Sequence, residues 1–201
     1  MSKKNLVDLI KFTSLLTTLK PEKGRLLIAE PSIIGDPSFN RSVVLLADHS
    51  ENGSIGFILN KVLDYTLDEL LPNINANFNV YNGGPVEQDN LYYIHKIPQL
   101  IFNSVEIADG IFWGGNFAEV EKLIAKNEIS EHQIKFFLGY SGWQPKQLAE
   151  ELQGNSWIVA KNDDQVGLIG RSYSSFWKEK MIALGGDYLL WSNAPENPNY
   201  N

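Results

Sequence analysis

The sequence predicts an α+β fold in a single domain, and three observations predict it. Strand-like apolar runs dominate the first two thirds of the chain. An Asn52-Gly53 pair sits between two of those runs, where a tight hairpin turn is expected. Helical patterns follow later and mix with strands without a regular strand–helix–strand rhythm. No G-x-G-x-x-G follows a strand, so a dinucleotide-binding arrangement is not supported.

The elements read as follows in chain order. Residues 3–19 carry Leu6, Leu9, Ile10 and Leu16 at helical spacing, which predicts an amphipathic helix that docks on the domain. Lys3 and Lys4 ahead of Leu6 resemble the start of a signal peptide. Asp8 and Lys11 break the apolar run, however, and no small-residue cleavage site follows. Pro21 closes the helix. Residues 25–30 (RLLIAE) and 42–47 (SVVLLA) read as buried strands, and 56–60 (GFILN) pairs back on the second through the Asn52-Gly53 turn. A short helix over 66–71 is stopped by Pro72. Shorter strands follow near Val80, at 92–95 and at 111–113.

Asn116 is placed to cap a helix, with Glu119 three residues on as its capping-box partner and Val120, Leu123 and Ile124 on one face. Residues 135–140 (KFFLGY) form a strand. Pro145 and Gly154 mark the ends of a helix over 145–152, and 156–160 is another strand. A last helix runs over 172–183 and stops at Gly185, and the Asn- and Pro-rich stretch 193–201 is irregular. Residues 1–22 thus read as a helical extension and 23–201 as the domain proper.

Composition narrows the function classes. The 201 residues are 43% hydrophobic and 20% charged, with a formal net charge of -7 and no cysteine. A disulfide framework, a thiolate zinc site and a cysteine nucleophile are excluded. His49, His95 and His132 share no metal-binding motif, so no metal and no cofactor are expected. The acidic balance disfavours a protein that grips a phosphate backbone. No apolar run approaches the ~18 residues of a membrane-spanning helix.

Five motifs occur in a fixed order: GRLLIAEP from Gly24, FNRSVVLL from Phe39, GSIGFILNK from Gly53, YNGGPV from Tyr81 and LGYSGW from Leu138, the last running into Gln147-Leu148. Together they resemble the YqgE/AlgH family of bacterial proteins. The match spans roughly residues 24–157, and the segment before Gly24 looks like an extension relative to shorter members. The resemblance implies a compact α+β domain with a mostly antiparallel, partly barrel-like sheet, in a cytosolic protein of unestablished activity. Some members are labelled transcriptional regulators, which does not by itself imply contact with DNA.

Each motif has a structural and a functional reading. GYSGW resembles the G-x-S-x-G nucleophile elbow, but Trp143 stands where the second glycine must be. It reads as a strand-to-helix turn anchored by Trp143, or as an anion site at a helix start with Ser141 as a donor. YNGGPV reads as a tight turn, or as a loop that lets a ligand approach backbone N–H groups; it lacks the P-loop pattern. Asn60-Lys61 end a strand as a solvated polar pair, or form a polar mouth for an anion. His95 reads as a hydrogen-bonded sheet residue. Glu150-Glu151 and Asp163-Asp164 are chain neighbours and form no carboxylate dyad.

A helix-turn-helix would need a second helix after 116–126. Residues 134–140 are aromatic and strand-like instead, so no recognition helix is expected. These readings converge on a non-enzymatic binding or regulatory module that acts through a small anion or a partner protein. A hydrolase built on GYSGW and a direct DNA-binding regulator are the alternatives. The candidate ligand-binding residues are Asn60, Lys61, Gly83, Gly84, Pro85, Tyr140, Ser141, Gly142 and Trp143, expected to converge on one surface cleft. No direct nucleic-acid or membrane partner is expected.

Overall fold

A computed structural model describes residues 19–33, 36–163, 167–170 and 175–194. The helix expected over 3–19 lies outside the described residues except for Leu19, as do the start of the one expected over 172–183 and residues 195–201.

The LLIA strand β1 (Leu26–Ala29) is buried along its whole length because both of its faces are covered, and antiparallel partners flank both edges. These are β2 (Val43–Ser50) and β10 (Trp157–Ala160). Alternate residues enter two different cores. Leu26, Ile28, Val43 and Leu45 face one that also holds Phe57, Phe137, Phe176, Trp177 and Met181. Leu27, Ala29, Val44 and Leu46 face another, covered by Trp143, Leu148 and Trp157.

β2 turns into β3 (Gly53–Ile58) and pairs with it antiparallel, as the hairpin signal predicts. The turn itself is displaced by one residue. Ser50 pairs with Gly53, so Glu51 and Asn52 form the loop, and neither takes a positive φ. Gly53 belongs to the strand and lies against the Trp143 carbonyl. β4 (Val62–Thr66) and β5 (Asn79–Asn82) pair antiparallel around the short helix α1 (Leu67–Leu70), where the Glu69 carboxylate accepts from the Thr66 N–H.

β6 (Val86–His95) is followed by a second hairpin, β7 (Val105–Ala108) and β8 (Ile111–Trp113). Its loop, Asp109-Gly110, takes positive φ at both residues, 53° and 78°. This is the primed geometry that matches strand twist.

Asn116 caps α2 (Phe117–Ala125) by accepting the Ala118 N–H through its side chain. The capping box is not completed: Glu119 accepts from the Phe102 N–H, while the Asn116 N–H donates to the Phe102 carbonyl. The chain thus ties the preceding loop to the helix start. Val120, Leu123 and Ile124 pack into a third core with Phe78, Tyr93 and Phe136.

The central element is β9 (Ile134–Trp143). It binds β6 antiparallel along one edge. Along the other it binds β5 in parallel at Phe136–Leu138 and β3 antiparallel at Ser141–Trp143. The strand expected over 135–140 therefore continues to Trp143, because β3 supplies ladder partners for Ser141, Gly142 and Trp143. GYSGW is strand, not a strand-to-helix turn. The helix α3 (Gln147–Gln153) starts only after Pro145 and Lys146. After β10 come α4 (Phe176–Leu184) and α5 (Tyr188–Trp191).

The sheet order is β10-β1-β2-β3-β9-β6-β8-β7, with β4 and β5 branching from β9. It is mostly antiparallel and curls, but β7 and β10 do not pair with each other, so the sheet is open and not a closed barrel. No helix of the described residues is long and apolar enough to cross a membrane.

Candidate functional site

The YNGGPV and GYSGW motifs meet because two backbones cross there. A Cβ on Gly83 would lie 2.1 Å from the Gly139 carbonyl oxygen, and one on Gly84 would lie 2.4 Å from Ser141 N and Tyr140 O. Side chains are excluded from the crossing, and Gly84 additionally takes φ +148. The polar atoms of the crossing bond to one another. The Gly83 N–H donates to the Leu138 carbonyl and the Gly84 N–H to the Asn82 carboxamide oxygen. The Gly83 carbonyl accepts from the Ile58 N–H and from the Ser141 hydroxyl, which is fully buried, at 3.0 Å each.

Asn60 and Lys61 are close in the chain path, since the Lys61 carbonyl accepts from the Asn82 N–H. Their side chains serve the neighbouring loop. Asn60 accepts from the Val43 N–H and donates to the Arg41 carbonyl, each at 2.8 Å. The Lys61 ammonium donates to the carbonyls of Pro37 and Ser38. The three motifs are thus adjacent as backbone, but their side chains do not open on one cleft. Pro85 is exposed beside them.

Tyr140, Gly142 and Trp143 line a separate cleft of about 270 Å³, with Val86 and the β2–β3 hairpin (Asp48, Ser50, Asn52, Gly53, Ser54, Ile55) and Gln144 as its other walls. Tyr140 packs edge-on against Tyr92. Trp143 is fixed from behind: its indole N–H and that of Trp157 both donate to one Glu151 oxygen, at 2.8 and 2.7 Å, while Gln147 donates to the other. The half-buried Tyr140 ring beside polar hairpin groups can hold a partner's side chain or a small molecule, while the Trp143 ring is buried in the core behind.

A second cavity, of about 120 Å³, is one that sequence reasoning missed. Phe78, Asn79, Tyr81, Glu131, Ile134, Lys135, Ile169 and Gly170 line it. Lys135 is 3% exposed. Its ammonium lies 3.8 Å from the Tyr81 ring centroid and 3.4 Å from the Leu59 carbonyl. Burial pushes its pKa down to about 7, partly opposed by the charge of Glu131. Burial also raises the Tyr81 phenol above its ordinary range, with Glu131 adding to the effect. The available signal was a lysine inside IKFFLGY, an otherwise apolar strand.

His95 is a buried sheet residue. Its Nδ1 accepts from the Ile97 N–H and its Nε2 lies 3.2 Å from the Gly114 carbonyl, which assigns the proton to Nε2. Burial lowers its pKa, opposed by the Gly114 contact. No group of three or more His, Asp or Glu side chains among the described residues is placed to hold a metal ion. The helix α2 is followed by strand β9, so no helix-turn-helix forms there.

Residues 26–189 match the DUF179 family model, described as AlgH-like. The chain is similar to the UPF0301 protein of Bacteroides thetaiotaomicron, 37% identical over 196 residues that cover 96% of this chain and 97% of the relative. It is 39% identical to that of Cytophaga hutchinsonii over 181 residues, 89% and 98% of the two chains. The solution structure of the AlgH protein from Pseudomonas aeruginosa superposes with a TM-score of 0.67 at 26% identity, covering 88% of this chain and 98% of that one. The crystal structure of a protein from Corynebacterium diphtheriae superposes at 0.72 and 22% identity, covering 90% and 97%, a likeness of fold alone.

Proposed function

The chain belongs to the AlgH-like family, and from that footing we propose that it is a non-enzymatic binding or regulatory module, acting through a partner protein or a small anionic ligand. One observation carries the reading. Three of the residues singled out by sequence, Tyr140, Gly142 and Trp143, line a preformed cleft, with Tyr140 and Gly142 on its side of the strand, while Ser141 and the Trp143 side chain are buried on the other and Ser141 donates to Gly83. The strand that resembled a nucleophile elbow therefore offers a binding wall, with its hydroxyl engaged in the backbone crossing.

Asp48 on the wall of that cleft favours a neutral or basic group of a partner protein there, with Tyr140 as the aromatic contact, so a small anionic ligand would bind elsewhere. Any part in transcription would run through such contacts, in the cytoplasm, with no direct hold on DNA.

The test uses the full chain with a photo-crosslinking amino acid in place of Tyr140, expressed in cells. The expected result is one defined crosslinked partner, lost when the same probe replaces Glu121 on α2, an exposed site away from the cleft. Ester turnover by the purified protein that disappears in Ser141→Ala would sink the reading. Sequence-specific duplex binding at physiological salt would do the same.

A further inference from the structure

We propose that the cavity between β5, the start of β9 and the 169–170 turn is a binding site for a short-chain monocarboxylate of two to four carbons, held by the Lys135 ammonium. The inference rests on the binding-module reading and gives it a ligand class and a second location.

The cavity matches that chemistry in three respects. Its size, about 120 Å³, exceeds the ~30 Å³ share of one water molecule and falls below the ~300 Å³ at which drug-sized pockets begin. A ligand of a few heavy atoms fits. Phe78, Tyr81, Ile134 and Ile169 give it an apolar part that suits a short alkyl tail, beside a polar part from Asn79, Glu131 and Lys135. Its cation is Lys135, buried to 3% exposure and set against the Tyr81 ring and the Leu59 carbonyl. A carboxylate arriving beside protonated Lys135 forms a charge-assisted hydrogen bond away from bulk water, so binding strengthens as pH falls through about 7.

Glu131 sets the valence. Its carboxylate, which accepts from the Asn79 N–H and carboxamide at 3.3 and 3.4 Å, also lines the cavity. Among the described residues the lining carries one cation and one anion, so every negative charge on a ligand meets Glu131 as well as Lys135, and a monoanion meets the least repulsion. A dianion such as phosphate meets repulsion from Glu131 that Lys135 does not fully offset.

The experiment titrates propionate, and inorganic phosphate in parallel, into the ¹⁵N-labelled full chain by NMR. For a ligand of this size, saturable propionate binding with a Kd on the order of 1 mM is expected. Its shifts should centre on Tyr81, Ile134, Lys135 and Gly170. Lys135→Met should weaken binding by about tenfold or more, Lys135→Arg should retain part of it, and Glu131→Gln should bring phosphate binding up. If Lys135→Met fails to fold, the wild-type shift map decides. No saturable shift, or shifts centred on Tyr140 and Trp143, overturns the proposal. The second of these results would leave the broader binding-module reading standing, whereas the loss of ester turnover in Ser141→Ala would remove that reading and not this site.

Discussion

Replacing Gly84 with alanine probes the backbone crossing directly. Gly84 takes φ +148, a region essentially closed to side-chain-bearing residues, which costs about 1–3 kcal/mol. The new methyl would also lie 2.4 Å from three backbone atoms of Tyr140 and Ser141, and backbone cannot swing aside as a side-chain tip can. Overpacking of that kind adds about 1–3 kcal/mol. Gly110→Ala is the matched control. Gly110 also takes a positive φ, +78, but a methyl group there would meet nothing within 4 Å. It should lose only about 1 kcal/mol. Urea denaturation of both variants, with unchanged slopes, measures the difference. Gly84→Ala should fall about 2–6 kcal/mol below wild type. If the two variants lose the same stability, the crossing is not tight and the reasoning fails.

Lys135→Met should flatten the pH profile of stability. The wild-type fold releases the lysine proton at about 7, against an ordinary 10.5. Between those values the unfolded chain holds a proton that the fold has lost, so wild-type stability rises with pH across that window. At about 1.36 kcal/mol per tenfold, the rise is at most about 5 kcal/mol relative to the variant. Parallel profiles in denaturant titrations would refute it. His95 has the same sign at lower pH: its folded pKa is depressed, so its contribution is present above 6.5 and is lost as pH falls through its folded value. His95→Gln should remove that acid-side loss in thermal melts recorded as a pH series. Glu151→Ala leaves the indole N–H groups of Trp143 and Trp157 without their acceptor and should cost about 2–4 kcal/mol. A Tm within error of wild type would show that water replaces the carboxylate.

Much of the fold was legible because its signals are local. The β2–β3 pair follows from two apolar runs and a turn pair, although the turn centre lies one residue earlier than the pair suggests. The Asp109-Gly110 hairpin carries the same kind of signal. It is harder to see because β7 and β8 are only four and three residues long. The full length of β9 was not legible. Where the chain reads GYSGW, glycine and tryptophan suggest a turn, and only the distant β3 supplies the partners that keep it extended. The site divides in the same way. Tyr140 and Trp143 stand out as aromatics near a turn signal, but the engagement of Asn60, Lys61 and Ser141 depends on carbonyls 19 to 58 residues away. Lys135 could be flagged as a charge in an apolar strand, yet its cavity exists only once β5 lies beside β9.

The three-way pairing of β9 also dictates when the molecule can assemble. As the chain emerges from the ribosome, β3, β5 and β6 are all complete by residue 95, but the strand they share is not made until residues 134–143. β1 waits longer still, since its outer partner is β10 at 157–160. Contacts of such long sequence separation make folding slow and late. Nascent chains stopped before residue 134 would therefore expose three strand edges, ready templates for misassociation and targets for chaperones, and protection would arrive abruptly once β9 is released.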